Sequence, residues 1–270
     1  MYRRDITFIA THRLSAALAR QLERITAYLP VALEWLNVTR QHATRSCNLW
    51  SLLSLDIRPG DLCQLRVSAL PGKRGLAEWL LMQGLARFGR LIDTQDAEFD
   101  HSFQSVTGAS EFLCGSIDSV TGSWTQSALL GQLLDGLPAG VLSAREPCWQ
   151  QLLAREKISP TWICPGLAFP HVCSPHIHSP VAALLACPDG VDWGCGSVRL
   201  VLFVGLPADG SRRAIQAAIA LAQSLTAEMP LAALLRAETM AVRHAIIQLL
   251  LQPRIGTTPE TPRGSFLSAV

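Results

Sequence analysis

The hydrophobic and polar positions of the first 88 residues switch between the period of a strand and the period of a helix. Alternating apolar residues predict strands, and apolar residues three to four positions apart predict helices. A helix is also expected to stop at the Pro-Gly pair 59–60. The predicted order is βαββαβα, carried by RDITFIA (4–10), the helix from Leu14 to Leu29, VALEWLNV (31–38), a short third strand, NLWSLLSL (48–55), LCQLRVSAL (62–70) and GLAEWLLMQGLARF (75–88).

A second alternation of strands and helices follows a polar stretch that has neither period. RLIDTQDAEFDHSFQSVTG is acidic and without apolar repeats, which is typical of a linker. Beyond it the pattern predicts strands near 112–118, 163–169, 181–187 and 198–206, and helices near 123–137, 145–156, 212–226 and 230–251.

These patterns predict an α/β (α+β) protein with two domains. The predicted ranges are an N-terminal domain at 1–88, a linker at 89–108, a C-terminal domain at 109–252, and a Pro/Gly/Thr-rich tail at 253–270.

The composition indicates a folded protein and argues against several classes of partner and location. Hydrophobic residues make up 49% of the chain and charged residues 16%, so we expect well-filled cores and not a disordered chain. The formal net charge is +2 and no run of Lys and Arg occurs, which argues against nucleic acid as a partner. We find no secretory signal and no apolar run of about 20 residues, and therefore expect a cytoplasmic protein without direct membrane insertion. The eight cysteines form no CxxC pair, which favours reduced thiols.

The segment GLAFPHVCSPHIHSP places His171 directly after a proline at the end of a predicted strand. Proline has no N–H for the sheet, so we expect the following histidine to be more exposed than buried. An imidazole there can act as nucleophile, general base or metal ligand, or be an ordinary surface residue. The metal reading would use His171 with Cys173, His176 and His178.

Three motifs in this half of the chain resemble the enzyme IIA of the fructose/mannitol class in the sugar phosphotransferase system. They are Arg155-Glu156, the GLAFPH motif (166–171) and the PDGVDWG turn (188–194), in the family's order. The resemblance implies a mixed sheet flanked by helices for the C-terminal domain. It also implies that His171 is the phosphorylated nucleophile and that Arg155 neutralises the phosphate, as a guanidinium is suited to do. Where mannitol-type members carry a second histidine, this chain has Ala214, and Arg212 or Arg213 is the substitute that the sequence offers.

The first domain resembles the histidine-containing phosphocarrier HPr, an open-faced β-sandwich of order βαββαβα. His12 follows the first strand and precedes the first helix, in the sequence ATHRLSA. The resemblance implies that His12 is a phosphocarrier histidine at a helix N-terminus, where free N–H groups favour an anion, with Arg13 close to the phosphate. Asn48 stands where many phosphocarriers have a regulatory serine; it is a good helix cap but cannot be phosphorylated.

Together the resemblances imply a phosphotransferase that relays phosphate through His12 and His171 to a IIB component for sugar uptake. Enzyme I would be the phosphoryl donor and the IIB/IIC permease components the acceptor, with no cofactor and no metal. The alternative is a regulatory or docking protein derived from such domains, which signals by phosphorylation state. The sequence does not name the sugar.

Overall fold

The computed structural model describes residues 2–69, 74–92, 111–117 and 119–252, and these form two β-sheets with helices. The first sheet has five strands in the order β3-β2-β4-β1-β5, and every neighbouring pair is antiparallel. Its elements are β1 (Tyr2–Ala10), α1 (Ala16–Ala27), β2 (Val31–Asn37), β3 (His42–Thr44), α2 (Leu49–Leu53), β4 (Leu62–Ala69), α3 (Arg74–Leu85) and β5 (Gly89–Leu91).

Alternating side chains of β1 divide the first sheet into two buried faces. Phe8 packs with the core that includes residues of α1 and α3, and its ring meets Phe88 edge to face at 5.3 Å. On the opposite face Thr7 and Ile9 are also buried, and Gln64 donates a hydrogen bond to the Thr7 hydroxyl. The predicted open-faced sandwich is therefore corrected: the second face is covered in this chain.

The cover of that face is continuous with the core of the second sheet. Ile9, Leu36 and Leu62 belong to one hydrophobic cluster with residues of the C-terminal helices. In addition, the Arg236 guanidinium donates two hydrogen bonds to the Asp5 carboxylate, at 3.1 and 3.2 Å.

The second sheet is mixed, as predicted, and is flanked by helices on both faces. Its order is β6-β10-β11-β8-β7, with β9 also paired to β11. The strand β6 runs parallel to β10, and β8 and β9 run parallel to β11, whereas the pairs β10–β11 and β7–β8 are antiparallel. The elements are β6 (Leu113–Ile117), α4 (Gln126–Asp135), α5 (Arg145–Ile158), β7 (Trp162–Cys164), β8 (Gly166–Ala168), β9 (His171–Ser174), β10 (Val181–Asp192), β11 (Ser197–Pro207), α6 (Arg212–Leu225), α7 (Glu228–Arg236) and α8 (Met240–Leu250).

The two long central strands direct alternate residues to the two helical layers. Leu184 and Leu202 face the cluster that contains residues of α6, α7 and α8, and Leu185 and Phe203 face the cluster with α4 and α5. This burial on both faces explains why β10 and β11 are nearly continuous apolar runs in the sequence.

Two predicted boundaries were wrong, and one strand was missed. Residues 89–91 form β5 on the edge of the first sheet, because their backbone continues the ladder along β1, and so they are not linker. The predicted helix at 230–251 is two helices, since Thr239 caps α8 by accepting from the Val242 N–H. The sequence also missed β9. The rest of the predicted linker, from residue 93, and the predicted tail at 253–270 lie outside the described residues.

In the described part of the chain, no single helix has the length and hydropathy needed to cross a membrane. The consecutive helices α6 and α7 meet the criterion only as a pair bent by 87°.

Candidate functional site

His171 is the first residue of β9 and is half-buried, in contrast to the predicted exposure. The preceding Pro170 lies between β8 and β9 and has no N–H to donate, but its carbonyl accepts from the Val204 N–H at 3.0 Å. The chain therefore stays in register with β11 across the proline, and His171 pairs with Val204. This pairing holds the histidine backbone against β11, a central strand of the sheet.

The imidazole of His171 is oriented by the residue two positions before it. Its Nδ1 lies 3.1 Å from the Phe169 carbonyl oxygen, and the two rings are 5.9 Å apart. A carbonyl oxygen only accepts hydrogen bonds, so this contact requires a proton on Nδ1. In the neutral ring the lone pair then resides on Nε2, which is the nitrogen available for nucleophilic attack.

The buried carboxylate of Glu156 joins the start of α4, the residue before β7 and the turn after β10. It accepts hydrogen bonds from the Gln126 amide at 3.0 Å, the Thr161 N–H at 2.9 Å and the Trp193 indole N–H at 3.0 Å, and also from the Thr161 hydroxyl. The Thr161 carbonyl in turn accepts from the Phe169 N–H at 2.8 Å. A chain of hydrogen bonds therefore runs from Glu156 through Thr161 to Phe169, whose carbonyl orients His171.

The PDGVDWG turn supplies the Trp193 end of this network. Trp193 is fully buried, and its backbone N–H donates to the Gly196 carbonyl across the turn between β10 and β11. Gly190 and Gly194 have positive φ of 81° and 86°, a conformation that side chains other than glycine rarely adopt. These two glycines allow the backbone to turn so that the indole reaches Glu156.

The three motifs found in the sequence are thus linked through Glu156. Arg155-Glu156 lies near the end of α5, GLAFPH forms β8 and the start of β9, and PDGVDWG ends β10. Sequence reasoning named Glu156 only as part of a motif and missed Gln126 and Thr161 altogether. The available signal was a tryptophan in a turn, because a buried indole N–H needs an acceptor.

Arg155 occupies the last turn of α5, a helix that packs against β9. Its Nη1 donates to the Ser159 carbonyl at 2.9 Å, and its Nε is buried without a hydrogen-bond partner among the described residues. The guanidinium is therefore held at the end of the helix with donor capacity left.

Arg212 is exposed and is the first residue of α6, which Ser211 caps by accepting from the Ala214 N–H. The carboxylate of Glu111 lies at the same helix end: it accepts from the Ser211 hydroxyl at 2.7 Å and is 3.7 Å from the Arg213 guanidinium. Of the two arginines that the sequence offered, Arg213 is thus engaged by Glu111.

His12 lies in the loop before the first helix, three residues ahead of the residue that caps it. The helix α1 begins at Ala16, and its cap is Ser15, whose hydroxyl accepts from the Leu18 N–H. The His12 N–H contacts the Phe88 carbonyl at 3.3 Å, and its Nδ1 lies 3.0 Å from the Thr11 hydroxyl. His12 and the adjacent Arg13 are exposed.

No hydrogen bond, ion pair or ring contact joins His12 to His171, Arg155 or Arg212 within the residues that the structure describes. The structure therefore groups the C-terminal motifs and leaves the N-terminal pair, His12 and Arg13, as a separate surface position.

The metal reading finds no support in the geometry. Among the described residues, no group of three or more His, Cys, Asp or Glu side chains is placed to hold a metal ion. The backbone around the loop histidines is held by hydrogen bonds: the His176 carbonyl accepts from Ser143, and the His178 backbone N–H donates to the Val141 carbonyl. Seven cysteines are free thiols: Cys47, Cys63, Cys148, Cys164, Cys173, Cys187 and Cys195.

Residues 134–250 match the family model described as "Phosphoenolpyruvate-dependent sugar phosphotransferase system, EIIA 2". The match supports a protein of the IIA type. It spans the residues from the end of α4 to the end of α8 and so includes all three motifs. No curated relative matches the chain.

Several solved structures are similar to the IIA-type part of the chain. The nitrogen regulatory protein IIA-Ntr from Neisseria meningitidis is 17% identical over 48% of this chain and 92% of its own, with a TM-score of 0.42. The mannitol IIA from Escherichia coli is 21% identical over 49% of this chain and 94% of its own, with a TM-score of 0.37. A putative IIA domain from Streptococcus pyogenes M1 GAS is 16% identical over 52% of this chain and 92% of its own, with a TM-score of 0.38.

Proposed function

We propose that this chain is a cytoplasmic phosphoryl-transfer protein of the phosphoenolpyruvate-dependent sugar phosphotransferase system. In this proposal His171 accepts a phosphoryl group and passes it to a IIB component for sugar uptake. The observation that carries the proposal is the contact of His171 Nδ1 with the Phe169 carbonyl, in the segment that matches the IIA family model.

The contact supports Nε2 of His171 as the nitrogen that reacts. With the proton on Nδ1, the Nε2 lone pair attacks the phosphorus of a donor phosphohistidine, a new N–P bond forms, and the donor nitrogen keeps the electrons of its broken N–P bond. The ring becomes a phosphoimidazolium, and its Nδ1–H donates more strongly to the Phe169 carbonyl because the ring is now cationic. Transfer to the IIB side chain reverses these changes.

The proposed roles of the arginines follow from their positions. Arg155 lies at the end of a helix that packs against β9, and its unused donors match phosphate oxygens. Arg212 is exposed at the start of α6 and adds positive charge together with the N-terminus of that helix. We assign both to neutralising phosphate charge.

For the first sheet we propose that His12 receives phosphate from enzyme I, with Arg13 beside it, as in an HPr-like domain spanning 1–88. What supports this is the element order and the exposure of both side chains. The Thr11 hydroxyl is close to Nδ1, so in the neutral ring Nε2 is again the freer nitrogen. A relay from His12 to His171 would be intramolecular in effect, at roughly millimolar effective concentration where the connecting chain spans the sites.

The test uses the full chain with enzyme I and radiolabelled phosphoenolpyruvate, with and without a separate phosphocarrier. Phosphohistidine is mapped by mass spectrometry in wild type and in His12→Ala, His171→Ala and His178→Ala, the last as a matched control in the same loop region. We expect label on both histidines, loss of the second label in His171→Ala, and no change in His178→Ala. Absence of label at both sites under both conditions would refute the relay.

Regulation in place of transport is the second candidate, and the position of His12 favours it. Because His12 precedes the Ser15 cap by three residues, it lacks the helix N–H groups that a phosphocarrier site was expected to use. A chain labelled only at His171, and unable to pass phosphate to IIB components, would identify a protein that signals by phosphorylation state.

A further inference from the structure

A cavity of about 780 Å³ lies where β8, β10 and β11 meet α7 and α8. A lone ion or water needs far less room, whereas metabolite-sized ligands occupy sites of about 300–1,000 Å³. Much of the lining is apolar: it includes Pro165, Pro188, Leu200, Leu235 and Met240. The cavity thus has the size and surface for the body of a small organic molecule.

Two arginines, Arg199 and Arg243, line the same cavity. The Nε of Arg243 is buried without a hydrogen-bond partner among the described residues, and its Nη1 contacts only the thioether sulfur of Met240, at 3.5 Å. Burial lowers the pKa of the Arg243 guanidinium, and no described carboxylate offsets that cost. A half-buried cation without a counter-ion is unfavourable, and a bound anion would remove the penalty.

Glu238 is the acidic residue of the described lining, and it forms no ion pair with either arginine in the described chain. Two cations against one anion leave the cavity positive. The partially positive N-terminus of α8, which begins at the lining residue Met240, adds to this charge.

The cavity is distinct from the His171 site. Along β11, Arg199 and Val204, the partner of His171, are five residues apart, which corresponds to about 16 Å of strand. The carbonyl that orients His171 and the Glu156 network are not part of the described lining.

We propose that this cavity binds a small organic anion, a carboxylate or phosphate monoester with an apolar body. Its acidic group lies against Arg243 and Arg199, and its body lies against the proline and leucine side chains. Guanidinium groups bond both anion types in a bidentate manner, so the two share one recognition chemistry. The site is separate from phosphoryl transfer and does not depend on His171.

The test is calorimetric titration of the full chain with benzoate and with phenyl phosphate, and with benzyl alcohol as the uncharged comparison. We expect saturable binding of at least one anion and none of the alcohol. Which anion binds more tightly distinguishes a carboxylate from a phosphate ligand.

Substitutions then locate the site. Arg243→Gln removes charged hydrogen bonds and should weaken binding about tenfold or more, and Arg199→Gln, which changes an exposed residue, should weaken it in the same direction. Glu238→Gln removes a like charge and should strengthen binding. Arg20→Gln, on the surface of α1, is the matched control and should have no effect.

Far-ultraviolet circular dichroism confirms that each variant is folded. No saturable binding of either anion to the wild type, or unchanged binding in both Arg243→Gln and Arg199→Gln, would overturn the proposal. His171→Ala should bind the anions as the wild type does, so a failure of the proposed phosphoryl transfer leaves this test intact.

Discussion

Replacing Glu156 by alanine should destabilise the protein by about 4 kcal/mol. The substitution removes the acceptor of the buried Trp193 indole N–H and of the buried Thr161 backbone N–H. A buried donor without an acceptor costs about 1–3 kcal/mol, so two of them at the middle of that range give this figure. The Gln126 amide and the Thr161 hydroxyl also lose a partner, but both can turn toward other acceptors.

Glu156→Gln separates the loss of the carboxylate charge from the loss of the acceptor. The glutamine oxygen can keep the bonds from Trp193 and the Thr161 backbone, and its amide can donate to the Thr161 hydroxyl. Bonds to a charged acceptor are roughly twice as strong as neutral ones, so we expect a loss of about 1–2 kcal/mol. Glu146→Ala is the matched control: this residue is exposed in the first turn of the same helix, and its loss should cost less than about 1 kcal/mol.

Urea denaturation followed by tryptophan fluorescence measures these differences, with the free energy of unfolding taken from the midpoint and slope. In the two Glu156 variants, His171 should also be phosphorylated more slowly than in the wild type, because Thr161 no longer holds the Phe169 backbone in place. If Glu156→Ala unfolded at the same urea concentration as Glu146→Ala, the inference that this network stabilises the strand before His171 would be refuted.

Three further predictions concern other parts of the chain. Asn48→Ala should lower stability by about 1 kcal/mol in urea denaturation, because the Asn48 side chain accepts from the Ser51 N–H at the start of α2; an unchanged midpoint would contradict this role. Burial raises the pKa of the Cys187 thiol to about 11, so at pH 8 only about one molecule in a thousand carries the thiolate there. Iodoacetamide should therefore modify the exposed Cys173 long before Cys187, as followed by mass spectrometry. Equal rates of modification would show that Cys187 is not buried. Arg236→Gln breaks the paired hydrogen bonds to Asp5 and should lower the free energy of unfolding by about 1 kcal/mol. It should also accelerate hydrogen exchange of the backbone amides in β1. Exchange unchanged from wild type would show that the ion pair does not hold the two sheets together.

Local patterns predicted most elements because each depends on near neighbours in the chain. Helix α1 follows from the period of its apolar residues, and the cap of α2 follows from the asparagine at its start. The strands β10 and β11 follow from apolar runs long enough to be buried on both faces. The three motifs of the candidate site could also be found by order and spacing alone.

Short elements and helix boundaries could not be predicted in this way. The strand β9 exists because Val204 and its neighbours pair with it from elsewhere in the chain, and four residues carry too short a pattern to reveal it. The strand β5 is also too short to show a pattern, and it forms because it pairs with β1 at the edge of the first sheet. The exact start of α1 could not be predicted either, because the pattern of apolar residues does not show whether Ser15 or an earlier residue caps the helix.

The sequence by itself determined the mixed α/β composition, the order of the long elements and the histidine in the GLAFPH motif. These depend on periodicity and on residue types that the chain displays directly. Only the tertiary structure decided that Glu156 joins Thr161 and Trp193, that Phe169 sets the tautomer of His171, and that Arg199 and Arg243 share a cavity. The bond of Trp193 to Glu156 and the shared cavity join residues far apart in the chain, and the local contact of Phe169 with His171 forms where β11 pairs with the strand that begins at His171. Burial and hydrogen bonding select such contacts only when the whole fold closes.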